Sequence, residues 1–207
     1  MRGPGLNSQS HWNTKWLEEG KDTWRKYPNL FGKAISYIRP NTRLIDLGCG
    51  NGYFLGRIKK EVPGMVLMGL DVSSVGIFQL MDNYDITGMV SVLPEIPYPI
   101  EPNSFDYVTM MDILEHVEDE KELMNNVFRI LKPGGSVIVG VPEDHSNKYK
   151  KFIAEQNSEH IRWYDEERLY KAITYYGKNP KIEIIDDYNT RNGIVCKGKY
   201  YLGMGEK

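Results

Sequence analysis

Along the middle of the chain, short apolar runs alternate with amphipathic stretches of helical period. The runs RLIDL (43–47), MVLMGL (65–70), SFDYVTMM (104–111) and SVIVGV (136–141) are each bounded by Gly, Asp, Asn or Pro. Between them Phe54, Leu55, Ile58 and Val62 mark one helix face, and Leu123, Met124, Val127, Ile130 and Leu131 mark another. Strands without polar alternation, separated by amphipathic helices, predict a parallel sheet covered on both faces. After Val141 the rhythm stops over residues 142–163, too long for a bare turn. A helix then follows, with Asp165 as N-cap, Tyr164 and Leu169 spaced as a hydrophobic staple, one face on Leu169, Ala172, Ile173 and Tyr176, and Gly177 at its end. KIEIIDDY and GIVCKGKYY read as two last strands turning at Asn189–Asn192.

The expected fold is α/β: a doubly wound, mostly parallel sheet with a C-terminal antiparallel hairpin. Its 207 residues suit one domain, divided into a helical N-terminal cover (1–40), a core (41–141), a cover insertion (142–163) and a last helix with its hairpin (164–207). Trp12, Trp16 and Trp24 punctuate the first part, where one or two short helices are expected. Charge is balanced, with 26 Lys and Arg against 28 Asp and Glu, which argues against a duplex nucleic-acid binder. No apolar run approaches the ~20 residues that span a bilayer, and the N-terminus has no apolar signal region. Cys49 and Cys196 lack metal-ligand spacing and are too few for a disulfide framework, so a reducing cytoplasm is the expectation.

The chemistry concentrates at two strand ends. In LIDLGCGNG, a buried strand reaches Asp46 and then glycines 48, 50 and 52 lead into a helix. Such a turn lets backbone approach a ligand at the carboxyl end of the sheet. The spacing is G-x-G-x-G rather than the G-x-G-x-x-G of dinucleotide folds, and the carboxylate of Asp46 would repel a phosphate but welcome an ammonium. The second strand ends at Asp71, where an acid can accept both hydroxyls of a ribose. Together the two ends describe a site for an adenosine bearing a cation.

With the downstream segments Asn103-Ser-Phe-Asp-Tyr-Val108, Asp112-Ile-Leu-Glu-His-Val117 and Leu131-Lys-Pro-Gly-Gly135, the chain resembles the class I S-adenosylmethionine-dependent methyltransferases of the broad LEHV/LKPGG group. The resemblance implies that Asp46, Gly48, Cys49 and Gly50 lie at the amino-acid part of S-adenosyl-L-methionine, that Asp71 binds the ribose and that Val72 touches adenine. The resemblance also implies a seven-stranded Rossmann-like sheet; the acid that relatives carry beside the adenine is displaced here, leaving Glu95 either as the candidate or as a solvated loop carboxylate. Trp12 and Trp16 either close over the cofactor, as N-terminal aromatic residues do in relatives, or pack against the sheet edge.

Methyl transfer needs alignment and desolvation more than a fixed catalytic group. His116 and His160 are the candidate catalytic residues, with a structural role for His116 as the alternative. Asp112, Glu115 and His116 would share a face if helical, and with His160 they form a candidate divalent-metal set similar to that of small-RNA 2′-O-methyltransferases and some ubiquinone-pathway O-methyltransferases. Tyr149, Phe152, His160, Arg162 and Trp163 are candidates for the acceptor pocket, the alternative being that Phe152, Ile161 and Trp163 pack on the sheet, and Lys148, Lys150 and Lys151 are candidates for a phosphate site or a solvated face. The expected activity is methylation of an oxygen or nitrogen of a small-molecule acceptor, with no membrane and no nucleic-acid partner. The alternatives are a metal-dependent O-methyltransferase acting on a diol, quinol or RNA 3′-end, and a non-catalytic cofactor-binding module. An NAD-dependent oxidoreductase is disfavoured by the glycine spacing.

Overall fold

The computed structural model describes residues 8–19, 27–96, 100–143, 160–191 and 194–207. Trp24 and the cover candidates Tyr149, Phe152, Lys148, Lys150 and Lys151 lie outside the described residues. Two helices, α1 (Gln9–Glu19) and α2 (Pro28–Ile35), precede the alternating core. That core runs β1 (Arg43–Leu47), α3 (Tyr53–Glu61), β2 (Val66–Asp71), α4 (Ser74–Tyr84), β3 (Thr87–Val90), β4 (Phe105–Met111), α5 (Glu120–Ile130) and β5 (Leu131–Pro142). Helix α6 (Glu166–Tyr176) and the hairpin β6 (Lys178–Arg191) and β7 (Ile194–Glu206) close the chain. One seven-stranded sheet results, ordered β3-β2-β1-β4-β5-β7-β6. Its first five members are parallel, and β7 inserts antiparallel between β5 and β6. The strand order reverses between β1 and β4, the kind of place where open α/β sheets bind ligands.

Apolar residues on successive positions of the central strands feed opposite faces, which explains why these strands read as continuous hydrophobic runs. Ile45, Val108, Val137 and Val139 pack with Leu123, Met124 and Val127 of α5 and Leu169 and Ile173 of α6. Leu44, Tyr107 and Ile138 pack on the other face with Leu30 and Phe31 of α2, Leu55 and Ile58 of α3 and Leu80 of α4. The strand missed by sequence reasoning is β3, a four-residue segment at the sheet edge whose residues are all exposed or half-buried, so its apolar signal is weak.

The acid of the FDYV segment is structural. Asp106 Oδ2 accepts from the Arg43 backbone N–H at 2.9 Å and from Lys132 Nζ at 2.8 Å, tying β4 to both neighbours. Helix α6 forms as its sequence predicts, with Asp165 accepting from Arg168 N at 2.7 Å and Tyr164 and Leu169 both buried. Gly177 ends it in an extended conformation, so its value is space: a Cβ there would stand 2.9 Å from the Phe128 ring. Among the described residues, no helix is long and apolar enough to cross a membrane.

Candidate functional site

The β1–α3 turn is held from below by β2. Gly48 N and Cys49 N both donate to the Leu70 carbonyl, at 2.7 and 2.9 Å. Gly48, Gly50 and Gly52 all have positive φ (74°, 53° and 82°), a region costly for other residues. Asp71, at the end of β2, accepts from Gly50 N at 2.8 Å through Oδ2 and from Ser73 N at 2.8 Å through Oδ1. Its carboxylate thus fixes the glycine loop, and each oxygen keeps acceptor capacity for a ligand hydroxyl.

Asp46 stands in register with Thr109 on β4, whose hydroxyl donates to Asp46 Oδ1 at 2.6 Å. Burial, together with the nearby charge of Asp71, pushes Asp46 up to about 7 against the opposing Thr109 bond. Burial likewise lifts Asp71 to about 6, opposed by the Ser73 and Gly50 amides. Two buried carboxylates with raised pKa and a shared turn make a site that a cation would relax. The Cys49 thiol is raised as well, by burial and then by both aspartates, so it packs rather than reacts.

Helix α1 is fastened over this turn. Asn13 Oδ1 accepts from Ser73 Oγ at 2.7 Å and from Val75 N at 3.3 Å, at the start of α4, while Ser73 Oγ itself accepts from Gly76 N at 3.0 Å. Gln79 Nε2 donates to the Trp16 carbonyl at 3.2 Å. The buried Trp16 ring lies so close to Gly50 that a Cβ there would be 2.3 Å from it. Trp12 meets the His116 ring edge-on at 5.6 Å. Asn13, Ser73 and Thr109 were missed from the sequence; the available signal was a hydroxyl inside the apolar strand FDYVTMM and a serine two residues after the β2 acid.

These elements enclose a cavity of about 530 Å³. Asp46, Gly48, Cys49, Gly50, Asp71 and Val72 all line it, so these six candidates are brought to one place. Trp12 and Trp16 line it too, as does an aromatic wall of Tyr27, Phe31, Tyr53 and Phe54 that sequence reasoning did not assign. Phe31 and Phe54 centroids are 4.7 Å apart. On the side after β3 the wall is Ser91, Val92, Leu93 and Pro94. Glu95 is exposed and outside this lining, which corrects its expected place at the adenine edge.

The D-x-x-E-H segment is a turn, not a helix, so Asp112, Glu115 and His116 do not share a helical face. Asp112 has φ +56° and its N–H donates to Gly140 O at 2.9 Å, which directs the chain out of the sheet. Glu115, His116 and His160 do come together, with one ligand atom of each within 4.8 Å of the others, and Asp112 is outside that group. Asp112 and His116 line the cavity, whereas Glu115 is buried and His160 sits behind His116, ring centroids 4.7 Å apart. Arg162 and Trp163 are likewise absent from the lining. Arg162 is a loop clamp instead: it donates to the carbonyls of Leu114 at 3.0 Å, Val117, and Glu118 at 2.7 Å, and its charge faces Glu120 at 3.7 Å. Trp163 packs on His160, at 5.2 Å between centroids.

A parallel core that reverses at β1 and β4, with a glycine turn and an acid at the next strand end, defines a nucleoside-cofactor fold. Residues 16–179 match the methyltransferase domain family, and the chain belongs to that family. It is 28% identical over 132 residues to phosphoethanolamine N-methyltransferase 2 of Caenorhabditis elegans, covering 60% of this chain and 30% of that protein. It is 34% identical over 113 residues to the ubiquinone/menaquinone biosynthesis C-methyltransferase of Vibrio parahaemolyticus, covering 50% and 42%. The chain thus spans less than half the length of these two relatives. Among solved structures, an S-adenosylmethionine-dependent methyltransferase from Archaeoglobus fulgidus superposes with a TM-score of 0.69 at 18% identity, over 86% of this chain and 91% of that one, a likeness of fold.

Proposed function

We propose that this chain binds S-adenosyl-L-methionine in the cavity above β1, β2 and β4 and transfers its methyl group to an oxygen or nitrogen of a small-molecule acceptor. The observation that carries this reading is the pair of buried carboxylates, Asp46 and Asp71, flanking one glycine turn and lining one cavity. In it, Asp71 accepts the ribose hydroxyls, Asp46 faces the cationic end of the cofactor, and Val72 lies against adenine. The acceptor attacks the methyl carbon in line, the carbon–sulfur bond breaks, and its electron pair stays on sulfur. The protein contributes alignment and exclusion of water, with α1 as a cover; His116, on the cavity wall, is placed to take a proton from the acceptor. The two relatives methylate through different atoms, nitrogen and carbon, by their names, so neither supplies the acceptor. Mass spectrometry of reactions with S-adenosyl-L-methionine and an acceptor panel tests the reading. Acceptor-dependent formation of S-adenosylhomocysteine supports it, and cofactor binding without any turnover points to the non-catalytic module.

A second reading rests on the cluster of Glu115, His116 and His160. A carboxylate and two imidazoles suit Mg²⁺ or Mn²⁺, which would bind acceptor oxygens and lower a hydroxyl pKa. Under it, EDTA abolishes transfer without displacing S-adenosylhomocysteine, and added Mn²⁺ restores the rate. Undiminished turnover in chelator rejects it.

A further inference from the structure

The cavity has a charge character that the cofactor does not use up. Beyond Asp46 and Asp71, its lining contains Asp112, Glu118, Asp119 and Glu122, and among the described residues no lysine or arginine lines it. The last three are exposed and stand at the cavity's rim. Asp119 serves partly as N-cap of α5, accepting from Glu122 N at 2.8 Å. Asp112 lies deeper, half-buried at the end of β4. The cation beside this loop, Arg162, is directed to backbone carbonyls and Glu120. Lys15 sits over the Trp12 ring at 4.5 Å, outside the lining.

The same cavity is lined by the aromatic side chains of Trp12, Tyr27, Phe31 and Tyr53. Aromatic surface together with carboxylates favours positive charge and opposes negative charge, through ring quadrupoles and through the field at the mouth. The two kinds of methyl acceptor differ in this respect. When an amine attacks, the lone pair on nitrogen forms the new bond to carbon and the positive charge moves from sulfur to nitrogen, so the pocket holds a cation throughout. A primary or secondary amine then loses a proton, to His116 in the reading above. When a phenolate, carboxylate or phosphate-bearing molecule binds, an anion must enter a wall of like charge.

Resting on the methyltransferase reading above, we infer that the acceptor is an amine, methylated on nitrogen as its free base, an ammonium giving up its proton before the attack, and that anionic acceptors are excluded. Calorimetry on the S-adenosylhomocysteine-loaded protein tests this with three probes sharing a benzyl group: benzyltrimethylammonium, benzyl methyl ether and phenylacetate. The cation is expected to bind at least about ten-fold more tightly than the anion, with the neutral ether between them, and the spread to narrow at high salt. The Asp112→Asn variant, whose new side chain suits the positive φ, is expected to narrow the spread by about three-fold. Equal binding of the three, tighter binding of phenylacetate, or no binding of the cation overturns the inference alone when S-adenosylhomocysteine itself binds. Failure of S-adenosylhomocysteine to bind overturns the methyltransferase reading and this inference with it.

Discussion

Asp46 and Thr109 face each other across neighbouring parallel strands, and the threonine hydroxyl donates to the carboxylate at 2.6 Å. That bond opposes burial in holding Asp46 ionised. Thr109→Val keeps the shape of the side chain and removes the donor. A hydrogen bond to a charged group contributes about 1.5–3 kcal/mol, so S-adenosyl-L-methionine affinity should fall by roughly ten-fold or more. Calorimetry reads the loss; an unchanged dissociation constant would mean that Asp46 does not meet the cofactor as an anion.

The raised aspartates make a signed prediction about pH. Their folded-state values of about 7 and about 6 exceed the ordinary 3.8. Between about pH 4 and about pH 7 the free folded protein therefore holds more protons than the unfolded chain, and their contribution to stability falls as pH rises through that window. A bound cation favours the ionised forms, so cofactor binding should release protons, and affinity should grow by roughly ten-fold from about pH 5.5 to about pH 7.5. Titrations in buffers of different ionisation enthalpy measure the proton release. Proton uptake, or none, would contradict the electrostatic account.

Asp71 is asked both to hold Gly50 N and to receive a ribose. Asp71→Ala removes both roles, and a loss of about 10- to 150-fold in S-adenosylhomocysteine affinity is expected. Asp71→Asn keeps an acceptor for one amide and should lose less. If the two variants bind equally well as the parent, the adenosine lies elsewhere.

The hold of α1 runs through Asn13, whose side chain meets Ser73, Ser74 and Val75. Asn13→Ala should free α1 from the start of α4 and let Trp16 leave Gly50. Faster amide exchange across residues 9–19 and a several-fold weaker cofactor affinity are expected, with β1 and β4 still protected. Unchanged exchange in α1 would show that the Gln79 bond to Trp16 and the ring contacts hold it without Asn13.

The parallel core, its two covered faces and the terminal hairpin could be read from the chain because each rests on local pattern. RLIDL and SVIVGV carry apolar residues to both faces, and Asp165 caps its own helix. Asp46, the glycine turn and Asp71 were legible for the same reason: each ends a strand, and parallel strands bring their ends to one side. What escaped depends on register and distance. Thr109 matters only because β4 pairs with β1 at Asp46, and Asn13 only because α1 crosses to Ser73. The D-x-x-E-H face failed because spacing describes a face only once a helix exists, and Asp112 instead begins a turn at φ +56°. Arg162 was a pocket candidate because His160-Ile-Arg-Trp-Tyr resembles the segment of relatives that covers the substrate; its guanidinium is directed to loop carbonyls instead.

The central claim is that Asp46, Asp71 and the turn between them form a site for S-adenosyl-L-methionine rather than for a dinucleotide. Isothermal titration of the purified chain with S-adenosylhomocysteine and, separately, with NAD tests it directly. Micromolar binding of S-adenosylhomocysteine with no comparable binding of NAD is the result the site requires. Equal or tighter binding of NAD, or no binding of S-adenosylhomocysteine, would contradict it.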